Sequence, residues 1–397
     1  MSRVEVVPLG EVVKPSRPRV KPSDHPNLPF IGMEHVEAHS MKLLGTVPAA
    51  TMKSAAVHFK PGDVLYGRLR PYLNKVYRPT FEGLCSAEFI VFPENERVDG
   101  GYLQYFLNSS AFVRFASHLN TGDRPRVDFD QLAPYEIPLP EIDEQRRIVA
   151  EIEKQFSRLD EAVANLKRVK ASILRYQAAV LSEAAVQKGR WTTCTIADLL
   201  RERIVNGLSV KESTTPTSVR ALRLSAITES GLNYADHRFL PVDPASVGDI
   251  LVEEGDFFVS RGNGSLALVG RGAIAQTPPF PVIFPDTMMR LRFAAADIRR
   301  WVAMLWHSRL VRRQIEQRVK TTAGIYKIAQ PQVASIRIPL PPAPERERIV
   351  AEVDRRLSIV REVEAEIDAN LKRAQALRQA VLARAFAGAN EAVPSAA

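Results

Sequence analysis

Cysteine is almost absent from this sequence: Cys85 and Cys194 are the only two among 397 residues, 109 positions apart. They offer no disulfide framework and fit a reducing compartment, the cytoplasm. No stretch of about 18 apolar residues occurs, so no transmembrane helix is expected. The opening segment, MSRVEVVPLGEVVKPSRPRV, lacks the apolar core of a secretory signal. The signatures of catalysis are missing too. There is no Gly-rich phosphate loop, and Gly262-x-Gly264 is followed by Ala267 and strand-like residues where a dinucleotide fingerprint needs its third glycine. His35 and His39 stand four apart, but Glu37 is misplaced for a zinc-protease helix. FPDTMMRLRF (Phe284–Phe293) lacks the second acid and the lysine of a nuclease cluster. HPNLPF (His25–Phe30) is not the Asn/Asp-Pro-Pro-aromatic loop of an amino-methyltransferase. The chain is therefore expected to hold no metal and no cofactor and to catalyse nothing alone.

What is present in excess is positive charge. The net charge is +9, and more than half of it falls in residues 191–341. With 45% hydrophobic and 25% charged residues, this is an ordinary soluble composition carrying a modest cationic surplus, which suits a polyanionic partner.

The chain also repeats itself. IPLPEIDEQRRIVAEIE (Ile137–Glu153) returns as IPLPPAPERERIVAEVD (Ile338–Asp354), 201 residues later. At that offset Glu144 falls on Glu345, Ile148 on Ile349, Glu151 on Glu352, Thr121 on Thr322 and Arg126 on Lys327. Nearer the start of each copy the offset is 193, where PGDVLYGR (Pro61–Arg68) lies on EGDFFVSR (Glu254–Arg261). The difference marks a loop insertion in the second copy. The repeating unit is a globular part followed by a helix.

Both helices carry a narrow apolar stripe. Ile148, Ile152, Phe156, Leu159, Val163, Leu166, Ile173 and Val180 step by threes and fours past a polar Lys170. Ile349, Val353, Leu357, Val360, Val363, Ile367, Leu371, Ala374 and Val381 do the same. That spacing is of coiled-coil type. Pro138, Pro140, Pro339, Pro341, Pro342 and Pro344 mark the starts, and Gly189 and Gly388 the ends. A helix of about 45 residues spans roughly 65 Å and cannot leave such a stripe in water. Each helix either packs on its own domain or pairs with the other. Their sameness favours pairing across a pseudo-two-fold axis, which makes them antiparallel, with Ile152, Leu159, Leu166, Val353, Val360 and Ile367 as the seam.

The globular parts show Gly-Asp turns, short β-rich runs such as EFIVF (Glu88–Phe92) and DFFVS (Asp256–Ser260), and a late helical stretch. The fold class is thus α/β (α+β): two similar mixed domains, residues 1–140 and 191–341, alternating with two long helices, 141–190 and 342–388, and a disordered tail, 389–397. Duplication without catalysis describes a ruler. DNA, whose strands are related by a two-fold axis, is a natural object for two like but diverged modules held apart.

The twice-used IPLP…EQRRIVAEIE and IPLP…ERERIVAEVD, each leading a long helix, resembles the specificity subunit of Type I restriction–modification systems over almost the whole chain. GDVLYGRLRPYLNKV (Gly62–Val76) and GDFFVSRGNGSLALVG (Gly255–Gly270) resemble the strand–Arg turn of that family's target-recognition domains. One departure is Arg346, where the first copy has Gln145 and the family often has Gln. The resemblance implies a subunit that binds double-stranded DNA at a split, asymmetric site and catalyses nothing itself. It implies two methyltransferase subunits docked on the helices, carrying S-adenosylmethionine, with added restriction–translocase subunits in a full restriction enzyme. The competing readings are a fused methyltransferase or nuclease, which the missing motifs disfavour, and a scaffold that uses the helices only for assembly.

Against that background the cations acquire roles. Arg68 and Arg261 occupy equivalent turns, with Arg70 and Lys75 following the first. They contact DNA or form structural ion pairs at each turn. TGDRPRVDF (Thr121–Phe129) and TTAGIYKIAQ (Thr321–Gln330) are equivalent loops, and Arg124, Arg126, Tyr326 and Lys327 are their candidates, the alternative being helix capping. Asn263 is a candidate for adenine reading, or a plain turn residue. Lys320 closes a basic stretch from Arg299 that either follows phosphates or is solvated.

Overall fold

The computed structural model describes residues 4–16, 19–120, 122–186, 191–228, 231–322 and 324–387. Gly189, Gly388 and the tail 389–397 lie outside these residues. Packing divides the chain into two compact units, neither of which is one continuous stretch. The first takes the described residues up to Lys167 and those from Asp368 onward; the second is Arg168–Ile367. The two long helices, Ile142–Ala184 and Ala343–Ala385, have 43 residues each. Each unit contains the start of one and the end of the other. Linear segments delimited at 140, 190 and 341 therefore describe chain order, whereas packing cuts across both helices.

Within the first unit, Val149, Ile152 and Phe156 are buried with Leu382 and Phe386, and Ile148, Leu159, Val381 and Ala385 pack at the edge of the same cluster. The Arg378 guanidinium lies 4.5 Å over the Phe156 ring and pairs with Asp160, a desolvated cation–π contact backed by a carboxylate. Within the second unit, Val180, Leu181 and Ala184 are buried with Val353, against Ile349 and Leu357. Arg356 reaches Glu183 at 3.3 Å. In both units the start of one helix meets the end of the other, so the pair is an antiparallel coiled coil. Arg346, Val353, Val360, Ile367 and Ala374 are all buried, at steps of seven, the repeat that keeps a seam on one side of a helix. Leu166 is half-buried. Val363, included in the apolar stripe by its sequence spacing, is 42% exposed. It lies three positions beyond Val360, at the edge of the line of burial that advances by sevens rather than on it.

The globular part of each unit is closed by the repeated phrase. Glu5–Pro8 pairs antiparallel with Glu136–Leu139, and Thr192–Thr195 with Arg337–Leu340. Ile137 and Ile338 are fully buried in these two-stranded sheets. The neighbouring prolines are tolerated because an edge position leaves no N–H unpaired. The Tyr102 hydroxyl donates to the Pro138 carbonyl at 2.7 Å, and the Trp301 indole N–H to the Pro339 carbonyl at 2.8 Å. Two different aromatics thus do one job, each burying its ring and spending its polar handle on the same carbonyl.

Val64–Gly67 and Phe89–Phe92 are buried at every position and pair antiparallel. Phe257–Ser260 and Met288–Leu291 do the same in the second unit. Burial on both faces accounts for their mostly apolar sequences, with Ser260 and Arg290 as the buried polar members. The turns before them are built alike. Gly62 and Gly255 have φ of 92° and 85°, a conformation that only glycine adopts without strain. Asp63 accepts from the Lys60 N–H at 2.8 Å and Asp256 from the Glu253 N–H at 2.9 Å. The late helical stretch read as one helix in each copy is two: Gly100–Leu107 and Ser110–His118, then Ala296–Trp306 and Arg309–Arg318. Ser109 and Ser308 stand at the breaks in N-cap positions; the Ser109 hydroxyl accepts from the Phe112 N–H, whereas that of Ser308 donates to the Leu305 carbonyl at 2.6 Å.

Candidate nucleic-acid interface

The turn that carries Arg68 and the loop that carries Arg126 are distant in sequence, and the backbone brings them together. The Arg68 carbonyl accepts from the Val127 N–H at 3.1 Å, the Arg70 N–H donates to the Pro125 carbonyl at 2.7 Å, and Leu69 bridges to Arg126. On the other flank the Arg68 N–H donates to the Glu88 carbonyl at 2.9 Å. The second unit repeats this frame. The Arg261 carbonyl accepts from the Ile328 N–H at 2.9 Å, and its N–H donates to the Thr287 carbonyl at 2.8 Å. Arg68 and Arg261 therefore hold the same structural position, as do Val127 and Ile328. The loop that follows is fixed by the same cap in both: Gln131 Oε1 accepts from the Asp128 N–H at 3.0 Å and Gln332 Oε1 from the Ala329 N–H at 2.6 Å.

The side chains then diverge. In the first unit Arg126 forks onto Glu88, with Nε to Oε2 at 3.1 Å and Nη2 to Oε1 at 2.5 Å. Arg68 pairs with Asp128. Arg124 is exposed and forms no ion pair among the described residues. Arg70 sits in the left-handed region, with φ of 53°, and its Nε is buried without a partner. Lys75 stands apart from this group in its bonding: its ammonium donates to the Met33 carbonyl at 2.5 Å. Burial lowers its pKa, and the nearby Glu34 carboxylate opposes that shift. That bond ties its segment to the one that carries Met33.

In the second unit Gly262–Asn263, Ile325–Lys327 and Lys320–Thr322 form a three-stranded sheet, with Asn263 opposite Tyr326 and Lys320 opposite Lys327. Both lysines are exposed, and neither has an ion pair among the described residues. Like charges directly opposite each other cost stability in a bare sheet; a phosphate between them would reverse that sign. Arg261 Nη1 reaches the Asp286 backbone carbonyl at 3.4 Å. Asn263 Oδ1 accepts from the Ser265 N–H at 3.0 Å, the bond of a turn asparagine. In the basic stretch before Lys320, two arginines are held by the fold. Arg312 donates to the Val269 carbonyl at 2.7 Å and also to that of Leu266, and Arg318 Nη1 to the Gln314 carbonyl at 2.9 Å.

The sequence reading thus picked out cations that the backbone frame brings together in each unit and missed the carboxylates that hold two of them. Glu88 and Asp128 carry no periodic or repeated signal. Their counterparts in the second copy's frame are Thr287 and Ala329. The structure also gives the Gln145/Arg346 departure a cause. Gln145 Nε2 donates to the Pro140 carbonyl at 2.8 Å and the Arg97 carbonyl at 3.0 Å, while Oε1 accepts from the Asp99 N–H at 2.9 Å. Arg346 donates to the equivalent Pro341 carbonyl at 2.7 Å and pairs with Asp297 in the first turn of the helix Ala296–Trp306. Its hydrogen bond and charge hold the Asp297 carboxyl below the usual carboxylate range.

Two further surfaces are equivalent under the repeat. In the first unit a groove is lined by Glu144, Arg147, Ile148, Glu151, Leu377 and Arg384. In the second, Glu345, Arg348, Ile349, Glu352, Glu183 and Arg356 line its counterpart. Among the described residues no three His, Cys, Asp or Glu side chains gather as metal ligands, and no helix is long and apolar enough to cross a membrane. His35, one of the spaced histidines, accepts from the Gly32 N–H at 2.9 Å through Nδ1.

Residues 1–174 match the family model described as the Type I restriction modification DNA specificity domain. Among curated proteins the chain is similar to the Type I restriction enzyme EcoKI specificity subunit of Escherichia coli strain K12. The two are 25% identical over 325 residues, 78% of this chain and 68% of that one. Among solved structures it is similar to a chain from a study of complex assembly and conformational transition in the type I R-M system, with a TM-score of 0.78 at 20% identity over 97% of this chain and 98% of that one. The HsdS subunit from Thermoanaerobacter tengcongensis gives a TM-score of 0.54 at 21% identity over 98% of each chain. At these identities the solved structures share the fold.

Proposed function

We propose, from the premise that this chain belongs to the Type I restriction–modification specificity subunits, that it reads a two-part, asymmetric DNA site through two unlike surfaces. It catalyses nothing itself. It presents DNA to methyltransferase subunits that carry S-adenosylmethionine, and to restriction subunits where these are present.

The observation that carries this reading is the recurrence of one backbone frame with different side chains. Arg68 and Arg261 sit in the same pair of hydrogen bonds in the two units, yet the groups around them differ. Identical scaffolds with different edges are what an asymmetric target requires, because phosphate contacts position a protein and base edges specify the sequence. The paired grooves support a second element of the proposal. Each joins the first turns of one long helix to the last turns of the other, with matching Glu144/Glu345, Arg147/Arg348 and Ile148/Ile349. One methyltransferase subunit on each groove gives two per chain.

Co-expression with a cognate methyltransferase subunit, followed by genome-wide mapping of methylated adenine, tests the reading. A motif in two short specific parts separated by an unspecified gap is expected. A short contiguous motif, or no methylation, would overturn it.

A further inference from the structure

The first unit offers its arginines in a form that the second does not. Arg126 holds both Glu88 oxygens in a fork, and Arg68 pairs with Asp128. The two pairs cross three chain segments that the backbone has already tied together. In the equivalent frame of the second unit the carboxylates are replaced by Thr287 and Ala329, both exposed. Lys327, at the position of Arg126, faces Lys320 instead.

We infer that Glu88 and Asp128 are specificity-determining residues of the first unit, holding Arg126 and Arg68 back from phosphate and releasing them to base edges. The inference rests on the reading of the chain as a DNA-binding subunit. Its physical basis is the sign of the alternative contact. An arginine paired with a carboxylate brings that carboxylate's negative charge up to any phosphate it grasps. Nonspecific backbone contact is thereby disfavoured. A base pair's major-groove edge is different. Guanine offers O6 and N7 to an arginine, and the cytosine paired with it offers its N4 donors to a carboxylate. An arginine–carboxylate pair and a G·C edge therefore satisfy each other, group for group. The second unit's lysines have no such brace and are fitted to phosphate.

The test compares the full chain with its Glu88→Gln/Asp128→Asn variant on a random-sequence duplex across a salt series, and maps the motif methylated by the complex of each with the methyltransferase. The variant should bind random duplex more tightly, on the order of tenfold at low salt. Its plot of log affinity against log salt should be steeper by about 1.8, the increment expected of two newly available phosphate contacts. The motif should relax at one or two positions in one half only. The reciprocal variant, Thr287→Glu/Ala329→Asp, should weaken random binding and flatten the slope; lying in the other unit, it carries the test should the first variant fail to assemble with the methyltransferase. Unchanged or weaker random binding by the first variant, while the wild-type complex still methylates a two-part motif, overturns this inference alone. A wild-type chain that retains no duplex at low salt, in a complex that methylates no two-part motif, overturns the reading beneath it.

Discussion

The two globular parts are built from one plan and finished differently. Both close with the IPLP strand and both pin a preceding helix to a proline carbonyl. Both place an arginine between two backbone partners. What differs lies at the surface and at one buried joint. The first unit pairs Arg68 and Arg126 with carboxylates, whereas the second sets Lys320 against Lys327 without one. At the joint, the first unit uses the neutral Gln145 and the second the ion pair of Arg346 and Asp297. A duplicated fold therefore keeps what its backbone needs and varies what meets a partner. Its buried polar joint varies as well, provided donors and acceptors still match, because a buried polar group costs little only when it is satisfied.

The largest test of that contrast is exchange of residues 1–140 for the corresponding part of a Type I specificity subunit to which the chain is similar. One half of the methylated motif should change completely and the other should stay as it was, read by mapping methylated adenine. Change in both halves would mean that the units do not read independently.

A smaller effect separates the two kinds of cation. Lys320→Ala/Lys327→Ala should flatten the salt dependence of binding to random duplex by about 1.8 in log–log slope. Arg68→Ala/Arg126→Ala should leave that slope nearly unchanged, because those arginines are already held by carboxylates. Equal flattening by both pairs, measured by fluorescence anisotropy across a salt series, would erase the distinction.

The smallest effect concerns the buried joint. Asp297→Asn should destabilise the second unit by about 2 kcal/mol, since Arg346 keeps its carbonyl partner but loses its counter-charge. Trp191, Trp301 and Trp306 are the chain's three tryptophans and all lie in that unit, so intrinsic fluorescence reports its unfolding. Arg346 lowers the Asp297 pKa. The carboxylate's stabilising contribution is therefore fully present above the ordinary carboxylate pKa and is lost as pH falls through the lowered, folded value. The gap between wild type and variant should hold at neutral pH and close in acid. Gln145→Ala, at the matching joint of the first unit, removes no titrating group, and its cost should not vary in this way.

The long helices were legible because a seam is written locally. Ile152, Val353, Val360 and Ile367 are buried as their spacing requires, and a period of seven can be counted without knowing the partner. Val363 was misread because threes and fours admit two interleaved lines, and only contact decides between them. The repeat was legible because the same phrase builds the same strand and helix start twice, so Ile137 and Ile338 met the same fate. The cations Arg68, Arg126, Arg261 and Lys327 could be collected by alignment of the chain with itself. Lys75 could not be told apart from them, because the Met33 carbonyl that takes its ammonium is far away in sequence.

Sequence alone determined that this protein is one module used twice, with a coiled-coil helix after each copy and no recognised catalytic set, because periodicity and repetition are properties of residues near one another in order. Which charges stand open to a partner was decided only by the tertiary structure. Glu88 and Asp128 lie far along the chain from Arg126 and Arg68, and nothing in local spacing records a pair that exists because a β-bridge and three backbone hydrogen bonds bring separate segments together.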